Sequence, residues 1–229
     1  MSVQLDVTSV DVDGAVREAA DAVSGDTRLS FLRKAGFAGG AVLGGGALLG
    51  ALAPSAFAAG SGAPPSSFGA GDVGILNYAL TLEYLESSFY NQAYANLYSG
   101  ASKAVKAFLT TTKTDEADHV AALKGTLGSK AVKEPKFDFG KAVTDLSTFE
   151  ATAYVLENTG VAAYSGQAFN IKEPKVLAVA LSIVTVEARH AGAIASITGM
   201  SIAKNGPFDI PETASQILAA VSATKFIVG

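Results

Sequence analysis

From residue 72 to residue 199 the apolar positions recur at intervals of three and four, with none of the strict alternation that a half-buried strand would show. The first such run, Asp72 to about Ala95, places Leu76, Ala79, Leu80, Glu83, Ser87 and Tyr90 on one face, with Asp72 as its expected N-cap. A Tyr98-Ser99-Gly100 turn leads to a second run, Ser102 to Leu127, closed by Gly128. Residues 128–140, Lys-rich and holding Pro135, are too long for a tight hairpin turn and suit a connection running along the bundle. A third run covers Lys141 to Phe169. Residues 170–174 form a turn, and Pro174 opens a fourth run that ends at Gly199. Gly206, Pro207 and Pro211 punctuate a tail, 201–229, with one short amphipathic helix at Glu212–Thr224. The pattern predicts an all-α fold: a four-helix bundle at 72–200 with short, long and short connections, and a small C-terminal helix.

Two of the polar residues on these faces repeat a frame. Both histidines of the chain lie three residues after a glutamate, in Glu116-Ala-Asp-His119 and Glu187-Ala-Arg-His190, so each pair stands on one helix face, one turn apart. Upstream of each pair comes a lone glutamate followed seven positions later by a tyrosine: Glu83 with Tyr90, and Glu157 with Tyr164. The step from lone to paired glutamate is 33 residues in the first half (83 to 116) and 30 in the second (157 to 187). The chain therefore reads as a duplicated helical hairpin. One Glu from each of two helices and a Glu-x-x-His from each of two others is a donor set for a pair of divalent ions. Glu86, one turn past Glu83, is either a further carboxylate or a charge at the rim. Glu150 lies two turns from Glu157, too far to share its ions, and reads as a polar group at the end of the cavity. Asp118 and Arg189 point away from the site, as an expected inter-helix ion pair.

With these residues the chain resembles the ferritin-like superfamily, and most of all an exported branch that includes desiccation-related plant and bacterial proteins. The matching text is Leu76-Asn77, Leu82-Glu83-Tyr84-Leu85-Glu86, Phe89-Tyr90, Glu116-x-x-His119, Leu156-Glu157, Gly160-Val-Ala-Ala-Tyr164 and Val186-Glu187-Ala-Arg-His190. The resemblance implies a ferritin-like bundle with a long crossover between helices 2 and 3. It implies two iron or manganese ions held by Glu83, Glu116, His119, Glu157, Glu187 and His190. It also implies that Asp115 orients His190, whereas the second half has Val186 at the equivalent place and leaves His119 to another partner. Tyr90 and Tyr164 are candidates for redox work beside the metals, against the plainer reading of aromatic core. Dioxygen, peroxide or ferrous ion is the expected substrate, in protection against oxidative or desiccation stress. A non-catalytic envelope or metal-sequestering protein is the competing expectation, and cage-type iron storage the weakest of the three.

Composition narrows the rest. A formal charge of −4, without a dense basic patch, gives no footprint for nucleic acid. The absence of cysteine excludes disulfides, thiol catalysis and Cys-ligated metal. Residues 1–58 read as a leader and secretory signal: Arg28-Leu-Ser-Phe-Leu-Arg33-Lys34, a Gly/Ala/Leu stretch from Ala35 to Ala53, then Ala56-Phe-Ala58 as a cleavage site. The run resembles a twin-arginine signal, with Leu29 where the second arginine would stand. The expected destination is the periplasm, envelope or exterior, reached through export machinery. An uncleaved membrane anchor is the alternative. Residues 59–71, rich in Gly, Ser, Ala and Pro, read as a flexible linker. A homo-oligomer is compatible with all of this.

Overall fold

The computed structural model describes residues 62–228, and the expected leader, signal and start of the linker at 1–61 lie outside them. The described chain is all-α. Its five helices are α1 (Gly71–Leu97), α2 (Lys103–Leu127), α3 (Leu146–Gln167), α4 (Pro174–Thr198) and α5 (Ala214–Thr224). The most extensive packing is α1 on α2 and α3 on α4, the two hairpins that the duplicated pattern predicts. They join into a four-helix bundle through α1–α3 and α2–α4 contacts, and α5 lies on α3.

The helix ends follow local chemistry. Ser102 caps α2, its hydroxyl accepting from Val105 N, and Gly128 ends that helix. Pro174 stands in the first turn of α4, which closes on Gly199 in the left-handed region. Thr213 and Gln216 form a reciprocal capping box at α5. Two expected starts shift. Asp72 is not the N-cap of α1, a place held by Ala70. Its carboxylate instead accepts Lys172 N at 3.0 Å and Glu173 N at 2.7 Å, tying the start of α1 to the entry of α4. α3 begins at Leu146 and not at Lys141, because Asp145 caps it by accepting from Thr148 N at 2.9 Å. Residues Gly140–Val143 form a separate 3-10 turn ahead of that cap.

The crossover runs along the bundle. Buried Asn77 holds it, donating to Lys130 O at 3.0 Å and accepting from Val132 N at 2.9 Å. Farther on, Phe137 pairs with Ile227 as an isolated antiparallel bridge, so the chain end and the crossover fasten each other. The linker expectation is corrected for residues 62–70. The Gly62 carbonyl accepts from Gln167 Nε2 at 2.7 Å and from Ala214 N at 3.1 Å, and the Phe68 ring meets Tyr78 edge-on. Small and flexible residues here permit close docking where composition alone suggested freedom. Gly166 serves a similar approach: a Cβ there would overlap Glu212 O, and Glu212 N donates to Ala162 O.

The apolar core has two parts. One is aromatic and includes Phe89, Tyr90, Phe108, Phe139 and Phe149. The other includes Leu76, Leu80, Leu123, Tyr164, Val176 and Ile183. On α1, α2 and α4 the stretch between these two sets of positions is where Glu83, Glu116, His119, Glu187 and His190 stand. The polar layer is thus built into the middle of the bundle with apolar packing above and below it.

Candidate metal centre

Each of the four bundle helices contributes one carboxylate to a shared buried cluster. Glu83 from α1, Glu116 from α2, Glu157 from α3 and Glu187 from α4 are all 0–1 % exposed. His119 and His190 close the ring at 8 % and 4 %. The glutamates of the Glu-x-x-His pairs face inward because the i,i+3 spacing puts them on the same stripe as their histidine.

The donor atoms divide into two groups of four, each with its atoms within 4.8 Å of one another: Glu83, Glu116, His119 and Glu187, and Glu116, Glu157, Glu187 and His190. Glu116 and Glu187 belong to both, while Glu83 and Glu157 belong to one each. Position in the sequence pattern therefore separates roles that spacing left open, with shared carboxylates from the pairs and unshared ones from the lone glutamates. His119 Nδ1 lies 3.2 Å from Glu83 Oε2, Glu116 Oε2 and Glu187 Oε1. His190 Nδ1 lies 3.1 Å from Glu116 Oε1 and 3.4 Å from Glu157 Oε2. Both imidazoles thus turn the same nitrogen toward the cluster.

The surrounding bonds fix these side chains. His190 donates Nε2–H to Asp115 Oδ2 at 3.0 Å, as the resemblance implied, which leaves Nδ1 for the cluster. Val186 stands at the matching place on α4 and offers His119 nothing comparable. Tyr164 donates its hydroxyl to Glu83 Oε1 at 2.5 Å, and Tyr90 donates to Glu157 Oε1. Both tyrosines are buried in the aliphatic and aromatic cores, so each links one core to one lone glutamate. Glu86 is buried at 4 % exposure, which decides against a rim charge. Glu150 is half-buried and belongs to neither donor group. Asp118 and Arg189 are both exposed, and no ion pair joins them among the described residues, so that expectation is withdrawn. At such exposed positions an ion pair gains little.

Sequence reading missed Gly160. A Cβ at this position on α3 would lie 2.7 Å from Glu187 Oε2 and 3.6 Å from Glu86 Oε1. The signal was available, because Gly160 follows Glu157 by three residues just as Glu86 follows Glu83.

Burial and mutual repulsion raise most of these carboxyls. Glu83 is pushed up to about 8 by burial, and Glu86 and Glu187 rise well above the carboxylate range for the same first reason, with neighbouring charges adding to it. Glu157 also rises through burial. Burial would raise Glu116 too, but the two imidazoles facing it outweigh that and hold Glu116 at about 2. Burial disfavours imidazolium, yet the facing carboxylates win: His190 rises to about 11 and His119 well above its ordinary range. Protons gather on the cluster because the buried negative charge has no other counterion. Six buried atoms nevertheless stay without a hydrogen-bond partner: Glu83 Oε2, Glu116 Oε1, Glu157 Oε2, both Glu187 oxygens and His190 Nδ1. Native interiors rarely leave such atoms unpaired, and all of these belong to the two donor groups. Hard oxygen donors with one imidazole per group fit divalent iron or manganese.

The family model of the ferritin-like domain matches residues 71–200, more than half of the chain, and the chain belongs to that family. No curated protein matches it.

Proposed function

We propose that this ferritin-like protein holds two divalent ions, iron or manganese, in the Glu83, Glu116, His119, Glu157, Glu187 and His190 cluster and acts as an oxidoreductase on ferrous ion or peroxide. The observation that carries the reading is the pair of donor groups sharing Glu116 and Glu187, with six of their buried atoms lacking a hydrogen-bond partner. Two adjacent redox-active ions supply two electrons together, enough to reduce one peroxide to two waters when two protons are also delivered. The chain's own residues do the rest. Asp115 fixes the ring of His190, Tyr90 and Tyr164 fix the outer oxygens of Glu157 and Glu83, and the two apolar cores keep bulk water from the cluster. The hydrogen bonds of Tyr90 to Glu157 and of Tyr164 to Glu83 support a role for both in one-electron exchange with the cluster.

The signal-like segment at 28–58 supports export, and the likeness to desiccation-related proteins supports a role in stress protection outside the cytoplasm. The test is metal analysis of protein purified from its own host, followed by ferrous oxidation and peroxide consumption by the iron-loaded form. Two metal ions per chain and turnover with either oxidant are expected. Two tightly held ions with no turnover would move the assignment to metal sequestration, and no metal uptake would end it.

A further inference from the structure

Beside the carboxylate layer lies a second, narrow space. It has a volume of about 20 Å³ and is walled by Leu76, Ala79, Leu82, Leu123, Tyr164 and Ala180, with Tyr78 and Gln167 among its other neighbours. Tyr164 belongs to both places. Its ring is a wall of the cavity, and its hydroxyl donates to Glu83 Oε1 at 2.5 Å. The cavity therefore ends one phenol ring from the cluster.

Its chemistry selects what it can hold. The volume is a little above the ~10–15 Å³ that one water requires, and a buried water also takes two to four polar partners. The polar side chains in the lining are mostly committed. Tyr164 bonds Glu83, while the Gln167 amide donates to Gly62 O at 2.7 Å and accepts from Asn170 at 3.0 Å. Only the Tyr78 hydroxyl is unpartnered. One donor is too few to hold a water, and an ion or a peroxide would lose most of its hydration there. A small molecule that gives up no hydrogen bonds on leaving water pays no such penalty.

We propose that this cavity is a docking site for dioxygen, held behind the Tyr164 wall of the metal cluster. The assignment rests on the oxidoreductase reading above. It also separates the oxidants, since the cleft between α2 and α4 that reaches Asp115, Arg189 and His190 offers polar groups to peroxide and ions and the cavity does not.

The probe is dioxygen itself, applied under pressure to the metal-free full chain while paramagnetic relaxation of side-chain methyls is read by NMR. The methyls of Leu123 are expected to relax faster than those of Val105 and Ile217, and the methyls of Ala79 and Ala180 faster than those of Ala162 and Val221, each pair of sets matched in burial across the two cores. Ala180→Leu, and separately Ala79→Val, fill the space and should abolish that excess relaxation. In iron-loaded protein the same variants should slow dioxygen-driven ferrous oxidation about fivefold at limiting dioxygen, with peroxide-driven oxidation changed less than about twofold. Two independent fillings guard against one that disturbs folding. Uniform relaxation across both cores overturns the proposal, and so does an ordered water in the cavity. Loss of the relaxation excess without any slowing with dioxygen overturns the docking role. Wild-type protein that binds iron but oxidises it with neither oxidant overturns the functional reading, while the relaxation result on metal-free protein stands as a separate measurement.

Discussion

Gly160 faces the carboxylate of Glu187 across the α3–α4 interface, so an alanine there adds one carbon to the cluster and nothing elsewhere. The new Cβ would sit 2.7 Å from Glu187 Oε2, where ordinary contact begins at 3.4 Å, so the oxygen must retreat by 0.7 Å (3.4 less 2.7). That exceeds the ~0.5 Å within which a ligand constellation stays productive. Glu187 is shared by both donor groups, so the displacement reaches both metal positions. Metal affinity should fall about 10–100-fold, the usual cost of disturbing the support of a ligand. The metal-free fold should respond differently. Alanine is preferred over glycine in a helix interior by about 1 kcal/mol, which offsets the local crowding. The expected result is a metal-free melting temperature near that of the parent, combined with weakened binding of Mn²⁺ in a calorimetric titration. Manganese avoids oxidation during the measurement. An affinity within twofold of the parent would refute the placement of Glu187. Equal losses of metal-free stability and of affinity would show that glycine serves packing alone.

Four further outcomes are expected. Gly166→Ala should destabilise the fold by about 1–3 kcal/mol in denaturant unfolding, because its Cβ would overlap the Glu212 carbonyl and lift the tail from α3. A neutral ΔΔG would mean that the tail docks loosely. Asp115→Asn should weaken metal binding about 10–100-fold by releasing His190, and a titration indistinguishable from the parent counts against that bond. Tyr164→Phe removes the donor to Glu83 and should slow turnover while leaving two ions per chain; full activity excludes both its positioning and its redox role. The metal-free protein should lose stability as pH rises from 5 to 9. Glu83, raised from 4.5 to about 8, and His190, raised from 6.5 to about 11, bind protons in the folded state that the unfolded chain has released. Their contribution is complete below the unfolded values and disappears as pH climbs through the folded ones. Glu116, held at about 2, works at the other end, its contribution fading as pH falls below 4.5. Bound Mn²⁺ replaces the protons and should remove the alkaline loss, and thermal melts that stay flat from pH 5 to 9 without metal would contradict the charge assignment.

The bundle was legible because two periodicities coincide. The 3.6-residue apolar stripe defines each helix face, and the Glu-x-x-His frame falls on that stripe, so fold and cluster share one signal. Ser102, Gly128, Pro174 and Gly199 mark boundaries by local chemistry alone, which a sequence displays. Asp72 and Asp145 show the limit. Each is a good capping residue, but Asp72 is taken by the α4 entry one hundred positions away, and no local rule reports that. The linker failed for the same reason. Gly62 is ordered by Gln167 and Ala214, partners whose nearness only the folded bundle reveals. Which glutamates are shared also had to wait, since sharing depends on where four separate helices cross.

The departures from the duplicated pattern bear on what the cluster is for. Tyr90 with Glu157 and Tyr164 with Glu83 keep the two halves alike. Glu86 against Gly160 and Asp115 against Val186 break the likeness. At the first break one half supplies a fifth buried carboxylate and the other supplies only the space beside it, with Glu86 Oε1 3.6 Å from where a Gly160 Cβ would be. Two divalent ions carry four positive charges, which the four ligand carboxylates already balance. A fifth carboxylate kept dry must then hold a proton, since an unpaired buried charge costs several kcal/mol. Without metal, burial first and the neighbouring glutamates second raise Glu86 well above the carboxylate range. A site of constant charge has no use for such a group, and an alanine or leucine would fill the place more favourably. A site whose ions lose two electrons gains two positive charges, and a buried carboxyl that can release its proton then offsets part of that gain. Under the proposed function Glu86 would be the residue that offsets part of the charge gained on oxidation.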